Sequence, residues 1–435
     1  MSRRRLFGRT AAATLTALIL GFGAVSTAAA ESPGTWWNDA YGMDAIHADG
    51  WTGEGVKIAV IDKNINPDLP AFAGRNLTVD PRSLCAEHPQ PTTAEVTGDS
   101  VHGTTLAAQV IGTGDGPGDI RGIAPNAEVL FYSFGTRDGE PCTASEYGDS
   151  LSAGALGVQR AIDSGAQIIT TSVIIATRPG DAEVIANAIA KGVVIISATP
   201  NPTTDKGAGK GLGEFRGVTT VSAVDRTGAL QKESDGSPFA LAWTTLVAPG
   251  VDLPTVGDPD NSWAQAGIAS GSSFAAPLVA GMLALVKQKY PDATGNQLIQ
   301  TAIRNTGQKD HDLAFDPESG FGYGLAWPAH LLRENPSQYP DENPLLANNY
   351  PQPSDAEIEA AVERGSSYPP AAQVDSPAGP TSPRSGDASA PNQAADMSWL
   401  PATIVTAVVI AVIAVAGIAL VVVARIRRKR AGAQQ

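Results

Sequence analysis

Apolar residues along this chain fall into short, nearly unbroken blocks separated by Gly, Pro and polar runs. Val56-Lys57-Ile58-Ala59-Val60-Ile61 is one such block, bounded by Gly53 and Gly55. A run of that kind predicts a strand buried on both faces, as in a parallel sheet. From 120 to 250 the pattern alternates. Strands are predicted at Glu128–Phe134, Gln167–Ser172, Val193–Ala198 and Val218–Val224, and helices at Ser145–Ser164 and Asp181–Lys191. Strands alternating with helices give βαβ units, hence an α/β fold with helices covering both faces of a mostly parallel sheet. Further on, almost every residue from Phe274 to Val286 is apolar, which predicts a helix buried all round over 273–289. An amphipathic helix at Thr294–Asn305 and a short helix ending near Arg333 follow. Residues 63–100 read as a long irregular segment rich in Pro and Thr. Long loops in compact domains are usually functional or disordered.

The two ends have a different character. Arg3, Arg4, Arg5 and Arg9 precede the apolar run Ala11–Val25 and the small residues Ala28-Ala29-Ala30. That is the layout of a secretory signal over 1–30; the alternative is an uncleaved N-terminal anchor. Residues 31–55 are too few for a separate inhibitory prodomain. At the other end, Ala402–Ala424 is uncharged and mostly apolar, with Trp399 at one edge and Arg425, Arg427, Arg428, Lys429 and Arg430 at the other. This predicts one transmembrane helix within 399–424 and a cytoplasmic tail at 425–435. The positive-inside rule places everything upstream outside the cell membrane. Between body and span, 335–398 is rich in Pro, Ser, Ala, Asn and Asp and reads as an extended stalk. Within it Ser354-Asp355-Ala356-Glu357 carries a capping-box pattern for a short helix.

Charge and cysteine content narrow the setting. The formal net charge is −14, and nine of the 30 basic residues lie in the two ends, which hold no acidic ones. The exported part is therefore strongly acidic, which argues against nucleic acid as a partner. Cys85 and Cys142 both lie in that part, where a disulfide is permitted. A bridge would stabilise by roughly 4 kcal/mol in the chain-entropy model. The alternative is two separate thiols.

Four positions carry candidate chemistry. Asp62 ends the first strand, and ligands of parallel sheets sit beyond the carboxyl ends of strands. His102 opens a helical run after Val101, and Gly103 beside it permits a close backbone approach. The other histidines, His47, His88, His311 and His330, lack that Gly-Thr-then-helix setting. Asn201 follows the strand at Val193–Ala198. Ser273 sits at the start of the buried helix, where unpaired N–H groups favour negative charge. Pro277 is tolerable so near the helix start. A serine hydroxyl needs a base to take its proton. Histidine supplies that base, a carboxylate orients the ring, and an amide holds the oxyanion. The chain order Asp, His, Ser is that of subtilisin.

With these residues in hand, the chain resembles the subtilisin-like serine proteases over about 51–333. The resemblance is carried by Gly55–Asp62 followed by Asn66-Pro67-Asp68-Leu69, by His102-Gly103-Thr104, and by Gly122–Ala127. Gly192–Asn201 and Gly271–Pro277 complete it. It implies a three-layer fold over 31–334 with a central, mostly parallel sheet, and hydrolysis of peptide bonds in protein or peptide substrates. It implies roles as well: Asp62 orienter, His102 general base and then acid, Ser273 nucleophile, Asn201 oxyanion donor, and Ser172, Val173 and Ile174 as the substrate-binding edge. No cofactor is implied, and no acidic cluster in the sequence compels a metal site. The signal, stalk, single span and basic tail further resemble the mycosins, membrane-anchored proteases associated with type VII secretion. That narrower likeness would make secretion-system membrane components partners. A proline-rich N-terminal extension is not evident, and there is one cysteine pair rather than more.

Several substrate-side blocks depart from the family pattern. Lys63 and Asn64 stand where the family has Thr or Ser and then Gly. Asn can occupy a left-handed conformation in place of Gly. A close Lys63–Asp62 pair would weaken the carboxylate's support of a charged His102. Ile174 replaces a Gly that lets the peptide pass. Pro200 restricts the backbone before Asn201, and Ser272 for Thr keeps the hydroxyl. Two readings follow: a membrane-anchored extracellular serine endopeptidase that processes exported proteins, or a catalytically impaired pseudoprotease that scaffolds a secretion complex.

Overall fold

The structure, a computed structural model, describes residues 35–135, 140–202, 209–348 and 350–364. The expected signal at 1–30, span at 399–424 and tail at 425–435 lie outside the described residues. Among the described residues no helix is long and apolar enough to cross a membrane.

Two short helices come first, α1 (Trp36–Tyr41) and α2 (Met43–Ala48), joined at Gly42 in a left-handed turn. They are part of the core: Trp37 and Met43 are each 1% exposed, and the Tyr41 ring meets Trp327 edge-on at 5.0 Å. His47 Nε2 donates to the Ile123 carbonyl at 3.0 Å, and burial lowers the pKa of this imidazole. Next come β1 (Lys57–Asp62), β2 (Leu77–Val79) and α3 (Gly98–Ile111), then β3 (Glu128–Ser133) and α4 (Ala153–Asp163). β4 (Ile168–Thr171), α5 (Asp181–Ala190), β5 (Val194–Ala198), β6 (Thr219–Val224) and β7 (Leu246–Pro249) complete the sheet region. A two-strand hairpin, β8 (Leu253–Pro254) with β9 (Ile268–Ala269), leads into α6 (Ser272–Lys289), α7 (Gly295–Arg304) and α8 (Pro328–Arg333). The last helix among the described residues is α9 (Asp355–Glu363).

Seven strands form one sheet in the order β2-β3-β1-β4-β5-β6-β7, every neighbouring pair parallel. The unbroken apolar runs are explained by burial on both sides. Ile58 and Val60 face one core with α3 and α6, while Ala59 and Ile61 face a second core with α4 and α5. Successive strand residues point to opposite faces, so a strand with helices on both sides needs apolar residues at every position.

Some expectations shift. The helix expected from Ser145 starts at Ala153, because the Ser152 hydroxyl accepts from Ala155 N–H and caps it there. The segment 63–100 contributes the edge strand β2, whose two half-buried residues around an exposed Thr78 did not signal it. β7 was also absent from the predicted strands. It ends in Pro249 at the sheet edge, where a missing donor costs little. The part of the expected stalk up to 364 is packed on the body: Leu345, Ile358 and Ala361 are buried, and Gly217 N–H donates to the Leu345 carbonyl. α9 lies on α5, capped by Ser354 and Glu357 as the motif predicted.

Cys85 and Cys142 are joined by a disulfide across a sequence separation of 57. Replacing both by Ser removes this cross-link and is expected to cost about 2–5 kcal/mol, read as a lower melting temperature of the full chain. Trp37→Ala empties a fully buried aromatic site. The expected cost of about 3–5 kcal/mol corresponds to a fall on the order of 10 °C, which calorimetry would detect.

Candidate active site

The site is built where three element ends meet. β1 ends at Asp62, which is fully buried and paired in register with Ser133 of β3. α3 carries His102 in its second turn. The helix start is fixed by a capping box in which Thr97 and Ser100 exchange hydrogen bonds with each other's backbone. α6 begins at Ser272 after the cap residue Gly271, so Ser273 is its second residue. Every residue from Ser272 to Val286 is buried, which fixes the helix as a rigid post through the core. Gly281 lets it pass Ile123, since a Cβ there would lie 1.8 Å from the Ile123 Cγ2.

Asp62 Oδ1 and His102 Nδ1 are 2.6 Å apart. This contact orients the imidazole and settles its tautomer: the proton on Nδ1 faces the carboxylate, which leaves Nε2 to act as a base. The ring is also held edge-on by Phe274 at 5.8 Å between centroids. Ser273 Oγ lies 3.3 Å from the Ser172 carbonyl oxygen and donates to it. Among the described residues no hydrogen bond joins Ser273 to His102. Catalytic hydrogen bonds of this type are often long without substrate and tighten in the complex. Ser172 Oγ in turn donates to the Ser273 carbonyl at 3.0 Å, so the segment after β4 is tied to the first turn of α6.

Asn201 reaches the same helix start. Its Oδ1 accepts from Ser272 N–H at 2.8 Å and from Ser272 Oγ at 3.2 Å. Ser272 Oγ also donates to the Thr199 carbonyl. The amide oxygen is thus committed to Ser272, and the opposite end of the amide is its donor, Nδ2. Pro200 does not carry Asn201 away from the site. Gly271 must be small here, because a Cβ would come 2.9 Å from Nδ2.

The substrate-edge residues divide. Ser172 touches Ser273, but the Val173 side chain packs partly buried on the second core. Ile174 is half-buried, and a Cβ placed on Gly211 would lie 3.4 Å from its Cα. Lys63 has a carboxylate partner on α3. Its ammonium pairs with Asp99 at 2.8 Å. Among the described residues, Asp62 Oδ2 has no hydrogen-bond partner. Asn64 is not left-handed; among the described non-glycine residues only Asp119 and Asp252 have positive φ. Asp99 and Phe274 were missed as parts of the site. Asp99 lies one turn before His102, and Phe274 directly follows Ser273. Away from the site, Asp310, His330 and Glu334 cluster, but Arg333 pairs with both carboxylates and takes the part a cation would play.

Known proteins resemble this chain in sequence and fold. The family model described as "Subtilase family" matches residues 53–324. An alkaline protease of Alkalihalobacillus alcalophilus is 28% identical over 287 residues, covering 65% of this chain and 66% of that protein. Subtilisin Savinase of Lederbergia lenta is 28% identical, covering 60% and 87%. Mycosin-2 of Mycobacterium tuberculosis is 28% identical over 271 residues, and the match spans 50% of this chain and about half, 47%, of that protein. Among solved structures, fervidolysin from Fervidobacterium pennivorans superposes with a TM-score of 0.51 at 21% identity, covering 72% of this chain and 48% of that one. The patellamide maturation protease PatG gives 0.51 at 18%, covering 68% and 96%. These two similarities establish the fold alone. With most of its described body matched by the family model, the chain belongs to the subtilase family.

Proposed function

We propose that this protein is a serine endopeptidase in which Asp62, His102 and Ser273 form the catalytic triad and Asn201 Nδ2 holds the oxyanion. The observation that carries the reading is the 2.6 Å contact between the fully buried Asp62 carboxylate and His102 Nδ1. A buried carboxylate is costly unless paired, and here its partner is an imidazole with the other nitrogen left as base. Ser273 attacks the substrate carbonyl carbon while His102 Nε2 takes the hydroxyl proton. The oxyanion then forms beside the start of α6, where N–H groups and the amide of Asn201 stabilise it. His102 returns the proton to the leaving amine, and water repeats the sequence on the acyl-enzyme.

The reading extends to place. The run Ala402–Ala424 and the basic residues after it support anchoring in the cell membrane, with the body outside. The likeness to Mycosin-2 supports action on exported proteins alongside type VII secretion. A second reading, a pseudoprotease that scaffolds such a complex, is favoured by one observation: Ser273 Oγ donates to Ser172 rather than to His102.

Labelling of the full chain by a fluorophosphonate probe separates the two. Wild type is expected to label and Ser273→Ala to remain blank; a folded wild type that stays unlabelled would favour the scaffold. Asn201→Ala, which removes the proposed oxyanion donor, is expected to lower turnover of a cleaved substrate roughly 100- to 1,000-fold with little change in KM.

A further inference from the structure

Lys63 is the residue at which the family's hydroxyl has been replaced, and its surroundings give it a specific task. Its ammonium lies 2.8 Å from Asp99 Oδ1, with the two side chains only 13% and 9% exposed. Solvent screens a pair so enclosed far less than a surface pair. Asp99 and Gly103 are four residues apart on α3, hence on one face of the helix. The Lys63 backbone meets that same face. A Cβ on Gly103 would come 2.4 Å from the Asn64 carbonyl oxygen and 3.1 Å from that of Lys63. The Lys63 carbonyl is held in turn by Ser133 Oγ of β3 at 3.1 Å, and Asn66 N–H donates to Thr104 Oγ1 at 3.0 Å. Lys63 therefore lies along one turn of α3, gripping Asp99 with its side chain and meeting Gly103 with its backbone. His102 sits between those two points.

Asp62 cannot do this work alone. Its Oδ1 meets His102, while among the described residues Oδ2 has no donor to fix the carboxylate from a second side. The ring's place then depends on how firmly the helix turn that bears it is held to the end of β1. We propose that Lys63 is a positioning residue for His102: through Asp99 it fixes the first turns of α3 against the end of β1. This rests on the triad reading of Asp62, His102 and Ser273.

The test is the kinetics of fluorophosphonate labelling on the full chain, read as maximal rate and half-saturating concentration separately. Lys63→Met and Asp99→Asn each break the pair. The capping box of Thr97 and Ser100 remains to keep α3 formed. Both variants are expected to lose roughly 10- to 100-fold in maximal rate, the penalty of a slightly misplaced catalytic group, with half-saturation changed less than about twofold. Lys63→Arg keeps a cation on Asp99 and is expected to recover most of the rate. Arg160→Met breaks another enclosed ion pair, with Asp80 at 3.5 Å, and serves as the control: its melting temperature should fall without loss of labelling rate. If wild type labels and folded Lys63→Met labels at the wild-type rate, the positioning role is overturned. It is equally overturned if Arg160→Met loses as much rate as Lys63→Met, since the loss would then be a general effect of destabilisation. If Lys63→Met does not fold, Asp99→Asn and Lys63→Arg decide the matter by the same comparison. A wild type that never labels refutes the triad reading instead, which the variants do not affect.

Discussion

A carboxylate with no access to water must be paired or must give up its charge, and Asp62 is paired with the His102 imidazole. Much of the structure serves to bring these two groups together. β1 lies third in the sheet, flanked by β3 and β4, so its carboxyl end is rigid. α3 crosses that end close enough that position 103 must be glycine. The apolar α6 runs beneath the sheet and delivers Ser273 with its hydroxyl at the helix start, where partial positive charge collects. None of the three elements could be moved by one turn without separating the groups they carry.

The departures from the family pattern are absorbed rather than destructive in the geometry. Lys63 pairs with Asp99, Pro200 leaves Asn201 against Ser272, and Ser272 keeps two hydrogen bonds through its hydroxyl. What remains altered is the edge beside Ser273. The Ser172 carbonyl accepts from the Ser273 hydroxyl, Val173 packs partly buried on the second core, and Ile174 lies half-buried near Gly211.

Much of this was legible in the sequence, for reasons specific to each element. The strands at 57–62, 194–198 and 219–224 announced themselves because burial on both faces leaves unbroken apolar runs. The helix at 272–289 did so because it is buried all round. The site residues stood out because Asp62 ends an apolar strand run, His102 precedes Gly103 in a helical run, and Ser273 follows Gly271 at the start of an apolar helix. The start of α4 was placed too early because an apolar run cannot say which Ser caps it. β2 is three residues long and half-buried, too brief for a pattern. The Lys63–Asp99 pair was invisible because it depends on two segments meeting in space. The packing of 335–364 was hidden by a composition that reads as linker, although Leu345, Ile358 and Ala361 anchor it.

The central claim is that β1, α3 and α6 assemble one reacting centre with the oxyanion beside Asn201. The measurement that bears on it most directly is an experimental structure of the full chain after reaction with a phosphonate probe. The expected result is a single adduct on Ser273 Oγ, with the phosphonyl oxygen accepting from Asn201 Nδ2 and His102 still bonded to Asp62. An adduct on another residue, or a Ser273 adduct whose oxygen points away from Asn201 with His102 detached from Asp62, would contradict it.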